Sequence, residues 1–141
     1  MNDRIAKNLK KNLPSEVRRV VLEKGTEPPG SGMYLHDKRK GSYRCIVCGA
    51  VLFLSKDKYD SITPGLSGWP SFINSSSPES VKLAQDNSYG MHRTEVQCRK
   101  CGAHLGHLFE DVSMPNGKHY CINSVSLDFE SQEDDNKNKT L

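Results

Sequence analysis

Five cysteines carry most of the chemistry that this 141-residue chain could perform, and they fall into two kinds. Four form Cys-x-x-Cys pairs, Cys45/Cys48 and Cys98/Cys101, while Cys121 stands alone in Gly117-Lys118-His119-Tyr120-Cys121-Ile122-Asn123-Ser124-Val125-Ser126-Leu127. This stretch is rich in Ile, Val, Tyr and Ser and follows the turn signal Pro115-Asn116-Gly117, so it reads as a strand. Alternate residues of a strand share a face. His119, Cys121 and Asn123 are then expected on one side, together with Val125, Leu127 and Phe129. A thiol between an imidazole and an amide can be a nucleophile at the end of a core strand. A free cysteine can equally be a small buried hydrophobe.

The two pairs echo one another. Cys45-Ile46-Val47-Cys48-Gly49-Ala50 matches Cys98-Arg99-Lys100-Cys101-Gly102-Ala103 in its Cys-x-x-Cys-Gly-Ala pattern. Two sulfurs two residues apart can ligate one ion from a tight turn, and the following Gly permits the positive φ that such a turn needs. Two such turns supply four thiolates, the closed tetrahedral set of structural zinc. With all four positions filled by protein, no metal-bound water remains to be activated, so the ion would be structural. Four soft sulfurs can also hold iron, and two separate redox dithiols are the metal-free alternative. With 49 residues between Cys48 and Cys98, the ion would join distant segments.

Two further clusters carry reactive or recognition groups. Gly68-Trp69-Pro70-Ser71-Phe72 holds the only Trp, a rigid aromatic corner. His104-Leu105-Gly106-His107-Leu108-Phe109-Glu110-Asp111 holds two of the five histidines. On a flat strand His104 and His107 would face opposite ways, so joint action requires a bulge or turn, which Gly106 can provide.

These groups must be positioned by elements visible only in outline. Ile5, Leu9 and Leu13 suggest a weak helical arm, interrupted by Pro14. Ser15 is placed to cap a helix from Glu16 to about Lys24, with Val17, Val20 and Val21 on one face and Gly25 as the stop. Thr26 to Gly41 reads as irregular connection. Tyr43 to Cys45, Ala50 to Leu54, Gly90 to Cys98 and Lys118 to Phe129 look like short strands, giving a mainly antiparallel β domain. The expected organisation is a helical arm over 1–14, one domain over 15–130 and a polar, disordered tail over 131–141.

Composition narrows the function classes. The net charge of +3 is concentrated early: residues 1–40 carry ten Lys/Arg against five Asp/Glu, whereas residues 41–129 carry eight of each. A nucleic-acid-binding zinc ribbon would want its basic patch in the zinc domain, where charges balance, so no nucleic-acid partner is expected. No apolar run approaches the ~18 residues of a membrane span and no secretory signal is visible. Paired cysteines then point to metal in a reducing compartment, most simply the cytoplasm.

Cys-x-x-Cys-Gly, Gly-Trp-Pro-Ser-Phe, His-Leu-Gly-His-Leu-Phe-Glu-Asp and Tyr-Cys-Ile-Asn-Ser, in this order, resemble the signature set of the B-type methionine sulfoxide reductases, the peptide-methionine (R)-S-oxide reductases. The likeness runs from about Leu13 to Phe129. It implies two antiparallel β-sheets, clamped by a four-cysteine zinc site, with short helices at the N-terminal side. Cys121 resembles the family's catalytic nucleophile and Trp69 the aromatic that packs on the substrate's S-methyl group. His104 and His107 resemble the histidines around the sulfoxide oxygen; Asn123 and Asp111 resemble polar residues that order the site. Cys45, Cys48, Cys98 and Cys101 match the zinc ligands. The implied substrate is methionine (R)-sulfoxide, free or in proteins, with thioredoxin or another thiol as reductant and a monomer as the working form. A non-catalytic binding module on the same fold would need the metal cysteines but not Cys121, Trp69 and the histidines together.

Two departures stand out. His119 occupies the place, two residues before the catalytic Cys, where the family pattern commonly has Arg. There, protonated, it would favour the Cys121 thiolate as part of the substrate site. The connection Tyr59–Ser67, longer than the family's usual one, lacks the second, resolving cysteine that many members carry. Thr63, Leu66 and Ser67 cannot form a disulfide, so the oxidised thiol is expected to stop at a sulfenic acid reduced from outside.

Overall fold

The computed structural model describes residues 13–132; the proposed arm before Leu13 and the tail after Gln132 lie outside the described residues. Pro14 precedes helix α1, Ser15–Val21, whose Val17, Val20 and Val21 are buried as their spacing predicts. The helix is shorter than expected. Ser15 is its first residue and no side chain caps it. Lys24, not Gly25, takes the left-handed conformation that ends the segment (φ 59°).

Among the described residues, nine strands form two antiparallel sheets. The smaller has the order β2-β1-β9, with β1 Gly41–Cys45, β2 Val51–Leu54 and β9 Leu127–Ser131. The larger has the order β3-β4-β8-β7-β6-β5. Its strands are β3 Lys58–Tyr59, β4 Ser71–Phe72, β5 Val81–Asp86, β6 Arg93–Cys98, β7 His104–Glu110 and β8 Lys118–Ile122. Between the sheets lies an aromatic core. Phe53 of the small sheet stacks on Phe72 of the large one at 4.5 Å between centroids. Tyr43 meets the edge of Phe72 at 5.3 Å, and Phe53 meets Tyr120 at 5.7 Å. Such pairs each contribute about 0.5–1.5 kcal/mol beyond their buried area.

The expected continuous strand from Lys118 to Phe129 is two strands in different sheets. β8 stops at Ile122, a 3-10 turn spans Ser124–Ser126, and β9 begins at Leu127. Asn123 makes the break: its backbone N–H and side-chain Nδ2 both donate to the Leu105 carbonyl, at 2.9 and 3.0 Å. Those bonds lock the chain to β7 and turn it out of the pleat. Val125, Leu127 and Phe129 therefore do not continue the face that carries Cys121. Tyr120 and Ile122 point into the core, so the intervening Cys121 points away from it, on the outer face of the large sheet.

That outer face needs β7 to be irregular. The β6–β7 register pairs Val96 with Gly106 but Gln97 with His104, leaving Leu105 as an extra residue. This bulge brings the rings of His104 and His107 to 5.4 Å of each other, edge to face. The close approach of β7 and β8 at this point requires Gly106, because a methyl group there would overlap the Cys121 carbonyl.

Candidate active site and metal centre

The four paired cysteines assemble into one cluster at the junction of the sheets. Cys45 ends β1 and Cys98 ends β6, and each opens a turn of the same design. Gly49 N–H donates to the Cys45 carbonyl at 2.8 Å and Gly102 N–H to that of Cys98 at 2.7 Å; both glycines have φ near +80°. The four Sγ atoms lie within 4.8 Å of one another. The Cys45–Cys101 and Cys48–Cys98 separations are both 3.6 Å. A tetrahedron with metal–sulfur bonds of ~2.3 Å has edges of about 3.8 Å, so the donor set fits a tetrahedral thiolate site.

Cys121 is not part of that cluster. It opens onto a cleft of about 120 Å³ walled by Thr26, Leu66, Trp69, His107, Phe109 and Asn123. A larger cavity of about 590 Å³, lined by Lys56, Ser75, Arg99, Lys118 and Tyr120, holds none of the residues singled out from the sequence. The thiol approaches the Leu66 carbonyl at 3.8 Å. Burial, and then the Glu27 carboxylate, push the Cys121 thiol up to about 12. Both causes favour the neutral thiol.

Each side chain around the thiol is fixed by a bond to a different segment. Trp69 Nε1 donates to the Glu27 carbonyl at 2.9 Å, which sets the indole against the cleft. Glu27 N–H donates to Asn123 Oδ1 at 2.9 Å. The Asn123 amide thus joins β7 to the 26–41 connection while its side chain edges the cleft. His107 Nε2–H donates to Asp86 Oδ2 at 2.7 Å. Asp86 is held well below the usual carboxylate range by Ser88 and then His107, and Arg93 pairs with it at 3.3 Å.

His104 lies behind His107 and does not wall the cleft. Its Nδ1–H donates to the buried Glu95 carboxylate at 2.7 Å, and its Nε2 is buried without a protein partner among the described residues. Burial lowers its pKa against the opposing pull of Glu95. It is a neutral ring with one open acceptor.

Two residues expected at the substrate lie elsewhere. His119 is completely buried and shares the Cys121 side of β8, but neither it nor Asp111 walls the cleft. His119 Nδ1 meets Asp111 Oδ2 at 3.0 Å and its Nε2 meets Ser71 Oγ at 2.8 Å. The ring is held between Ser71 of β4, the strand paired with β8, and Asp111 just after β7.

Sequence reading missed the carboxylates Asp86, Glu95 and Glu27, together with Arg93. Asp86 ends β5, a strand not anticipated, and Glu95 shares β6 with the metal ligand Cys98. Only the Arg93-Thr94-Glu95 run, polar in an otherwise strand-like stretch, hinted at them.

A family profile described as the SelR domain matches residues 13–131. The chain belongs to that family. It is 50% identical over 125 residues to a Methanosarcina barkeri protein named peptide methionine sulfoxide reductase MsrB, covering 89% of this chain and 85% of that protein. An Escherichia coli protein of the same name is 48% identical over 128 residues, covering 91% of this chain and 90% of its own length. The mouse protein named methionine-R-sulfoxide reductase B3, mitochondrial, is 50% identical over 121 residues, 86% of this chain and 46% of that protein. The matched span includes both Cys-x-x-Cys turns, the Trp69 corner, the His104–His107 bulge and the Cys121 strand.

Proposed function

We propose that this SelR-domain protein reduces methionine (R)-sulfoxide to methionine with Cys121 as nucleophile, and that the cleft between Trp69 and His107 is the reaction site. The observation that carries the assignment is that Cys121, apart from the four-sulfur cluster, opens onto an aromatic-walled cleft beside an imidazole paired with a carboxylate.

The indole of Trp69 and the ring of Phe109 give the S-methyl group an apolar seat. Cys121 sulfur attacks the sulfoxide sulfur while the sulfoxide oxygen gains the proton that makes it a leaving group. His107, with Nε2 engaged by Asp86, has Nδ1 left for proton exchange. As the S–S bond forms, the S–O bond breaks and the oxygen leaves as water. Water then attacks the Cys121 sulfur, the S–S bond breaks, the thioether leaves and Cys121 becomes a sulfenic acid, so the thiol is oxidised by two electrons and the sulfoxide reduced by two. Two external thiols, or one dithiol such as thioredoxin, then return Cys121 to the thiol and release water and a disulfide. The four remaining cysteines are the ligands of one structural zinc ion, which would fasten the β1–β2 turn to the β6–β7 turn. The working form is a monomer in a reducing compartment such as the cytoplasm. Among the described residues no helix is long and apolar enough to cross a membrane.

Stereospecific assays on R- and S-sulfoxide, with wild type and Cys121→Ser, test the reading. Turnover of the R epimer alone, abolished by the substitution, is expected. Mass spectrometry after one turnover without reductant should find one oxygen on Cys121 and no internal disulfide. More than a few per cent residual activity in Cys121→Ser refutes the nucleophile.

A further inference from the structure

The connection from Asp60 to Gly68 forms one wall of the cleft, and its geometry rests on few contacts. Thr63-Pro64-Gly65-Leu66 is a tight turn closed by Leu66 N–H donating to the Thr63 carbonyl at 3.0 Å. Gly65 has φ +84°, and Pro at the second and Gly at the third position suit a type II turn. The turn is therefore stiff, and it sets Leu66 over the Cys121 thiol. Ile62 is 91% exposed and contributes no packing. Among the described hydrogen bonds, the only side chain between Ser61 and Gly68 that reaches the large-sheet side of the cleft is Thr63, whose Oγ1 donates to Asp111 Oδ2 at 2.8 Å.

Asp111 is the centre of a closed set of bonds. Its Oδ1 accepts from Ser113 N–H at 3.0 Å and from Ser113 Oγ at 2.5 Å, while its Oδ2 accepts from Thr63 and from His119 Nδ1. Four donors fill the roughly four acceptor positions of an ionised carboxylate. On the far side of the ring, Ser71 Oγ donates to the Trp69 carbonyl at 3.2 Å. At 2.8 Å it also meets His119 Nε2. The Asp111 carboxylate requires an N–H at Nδ1, and the Ser71 hydroxyl bonds the other ring nitrogen, so both nitrogens are engaged. The groups around the ring are Asp111, Ser71, the Tyr59 ring at 5.4 Å and, on the same strand, Cys121. Burial keeps the Tyr59 hydroxyl and the Cys121 thiol neutral.

We propose that Ser71, His119, Asp111 and Thr63 form a buried latch that fixes the Thr63–Leu66 turn over Cys121. Thr63 and His119 are positioning residues: neither touches the sulfoxide, and both set the wall against which it is seated. The imidazole that the sequence placed beside the nucleophile serves the loop. Thr63 is the side chain that ties the turn to this latch, while the Gly68 carbonyl accepts from Gly30 N–H at 2.8 Å and the Leu66 carbonyl faces the Cys121 thiol.

The inference rests on the cleft being the reaction site, and the test separates the two. ¹⁵N-edited NMR of the metal-loaded full chain at pH 7.5, assigned with His119→Gln, reads the ring without any turnover. A proton on His119 Nδ1, facing Asp111, is expected; a bare Nδ1 overturns the latch whatever the activity. Kinetics on N-acetyl-methionine (R)-sulfoxide follow with Thr63→Val, which keeps the shape and loses the donor, and Thr63→Ser, which keeps the donor. The expected result is a KM raised about tenfold in Thr63→Val with kcat within about twofold, and a KM near wild type in Thr63→Ser, the size of one hydrogen bond to a charged group. A KM unchanged in Thr63→Val, or equally poor in both variants, overturns the latch. If wild type turns over no sulfoxide at all, the reaction assignment falls, while the NMR result still decides the state of His119.

Discussion

The protonation state of Cys121, the proposed nucleophile, can be measured directly. Burial is the larger cause and the Glu27 carboxylate the smaller, and together they place the Cys121 thiol at about 12, against ~8.5 for an exposed cysteine. A difference of roughly three units means about a thousandfold less thiolate at neutral pH, and the thiolate is the form that reacts. The perturbation is alkylation by iodoacetamide of the native, metal-loaded protein, with mass spectrometry to localise the label on Cys121. At pH 7.5 the rate should fall at least about a hundredfold below that of an unstructured cysteine peptide, a margin that allows for a unit of error in the shift. Steric shielding would also slow the reaction, so the pH profile decides. A thiol ionising this high gives a rate that climbs tenfold per pH unit to beyond pH 10. Glu27→Gln removes a nearby negative charge, which lowers the ionisation point and should raise the rate at any fixed pH in that range. A plateau near pH 7 would refute the reasoning and return His119 to the role of thiolate stabiliser. If the profile climbs as expected, the thiol proton must leave during sulfoxide binding or attack, and in the proposed mechanism His107 is the group in the cleft placed to take it.

Removal of one metal ligand tests the clamp. Structural zinc contributes about 10–16 kcal/mol in small domains, more than the 5–15 kcal/mol that holds a typical domain together. Cys48→Ser should therefore abolish cooperative thermal unfolding, and elemental analysis of wild type should find one zinc, not iron, per chain; a Cys48→Ser protein that melts like wild type would sink the site. Gly106→Ala tests the β7–β8 approach. Its methyl would overlap backbone, which cannot yield cheaply, so a loss of more than about 3 kcal/mol in denaturant unfolding is expected; an effect below about 1 kcal/mol would mean that the strands can separate there.

How much of this protein is written in its sequence depends on the distance over which each feature is decided. The Cys-x-x-Cys-Gly turns are local: spacing puts two sulfurs on one turn, and Gly49 and Gly102 supply the backbone conformation that other residues resist. Cys121 emerged by elimination, because it alone lies outside a pair. The valines of α1 follow a helical period, and the need for a bulge between His104 and His107 followed from the two-residue period of a strand. Other features were settled only by residues far apart in the chain. Lys118 to Phe129 has strand composition throughout, yet it breaks at Asn123 because the Leu105 carbonyl, 18 positions away, captures both the backbone and the side chain of that residue. Asp86 and Glu95 are ordinary surface-type residues until antiparallel pairing carries them to the imidazoles, and Glu27 is one until its bonds to Asn123 and Val125 bring it to the thiol. His119 has the spacing of a neighbour to Cys121, but its ring nitrogens are claimed by Ser71 and Asp111, which sequence places 48 and 8 positions away. Ligand identity is fixed by bonds within a single turn, whereas protonation and orientation are fixed by burial and by long-range partners; the first is a property of the sequence, and the second exists only once the sheets have closed.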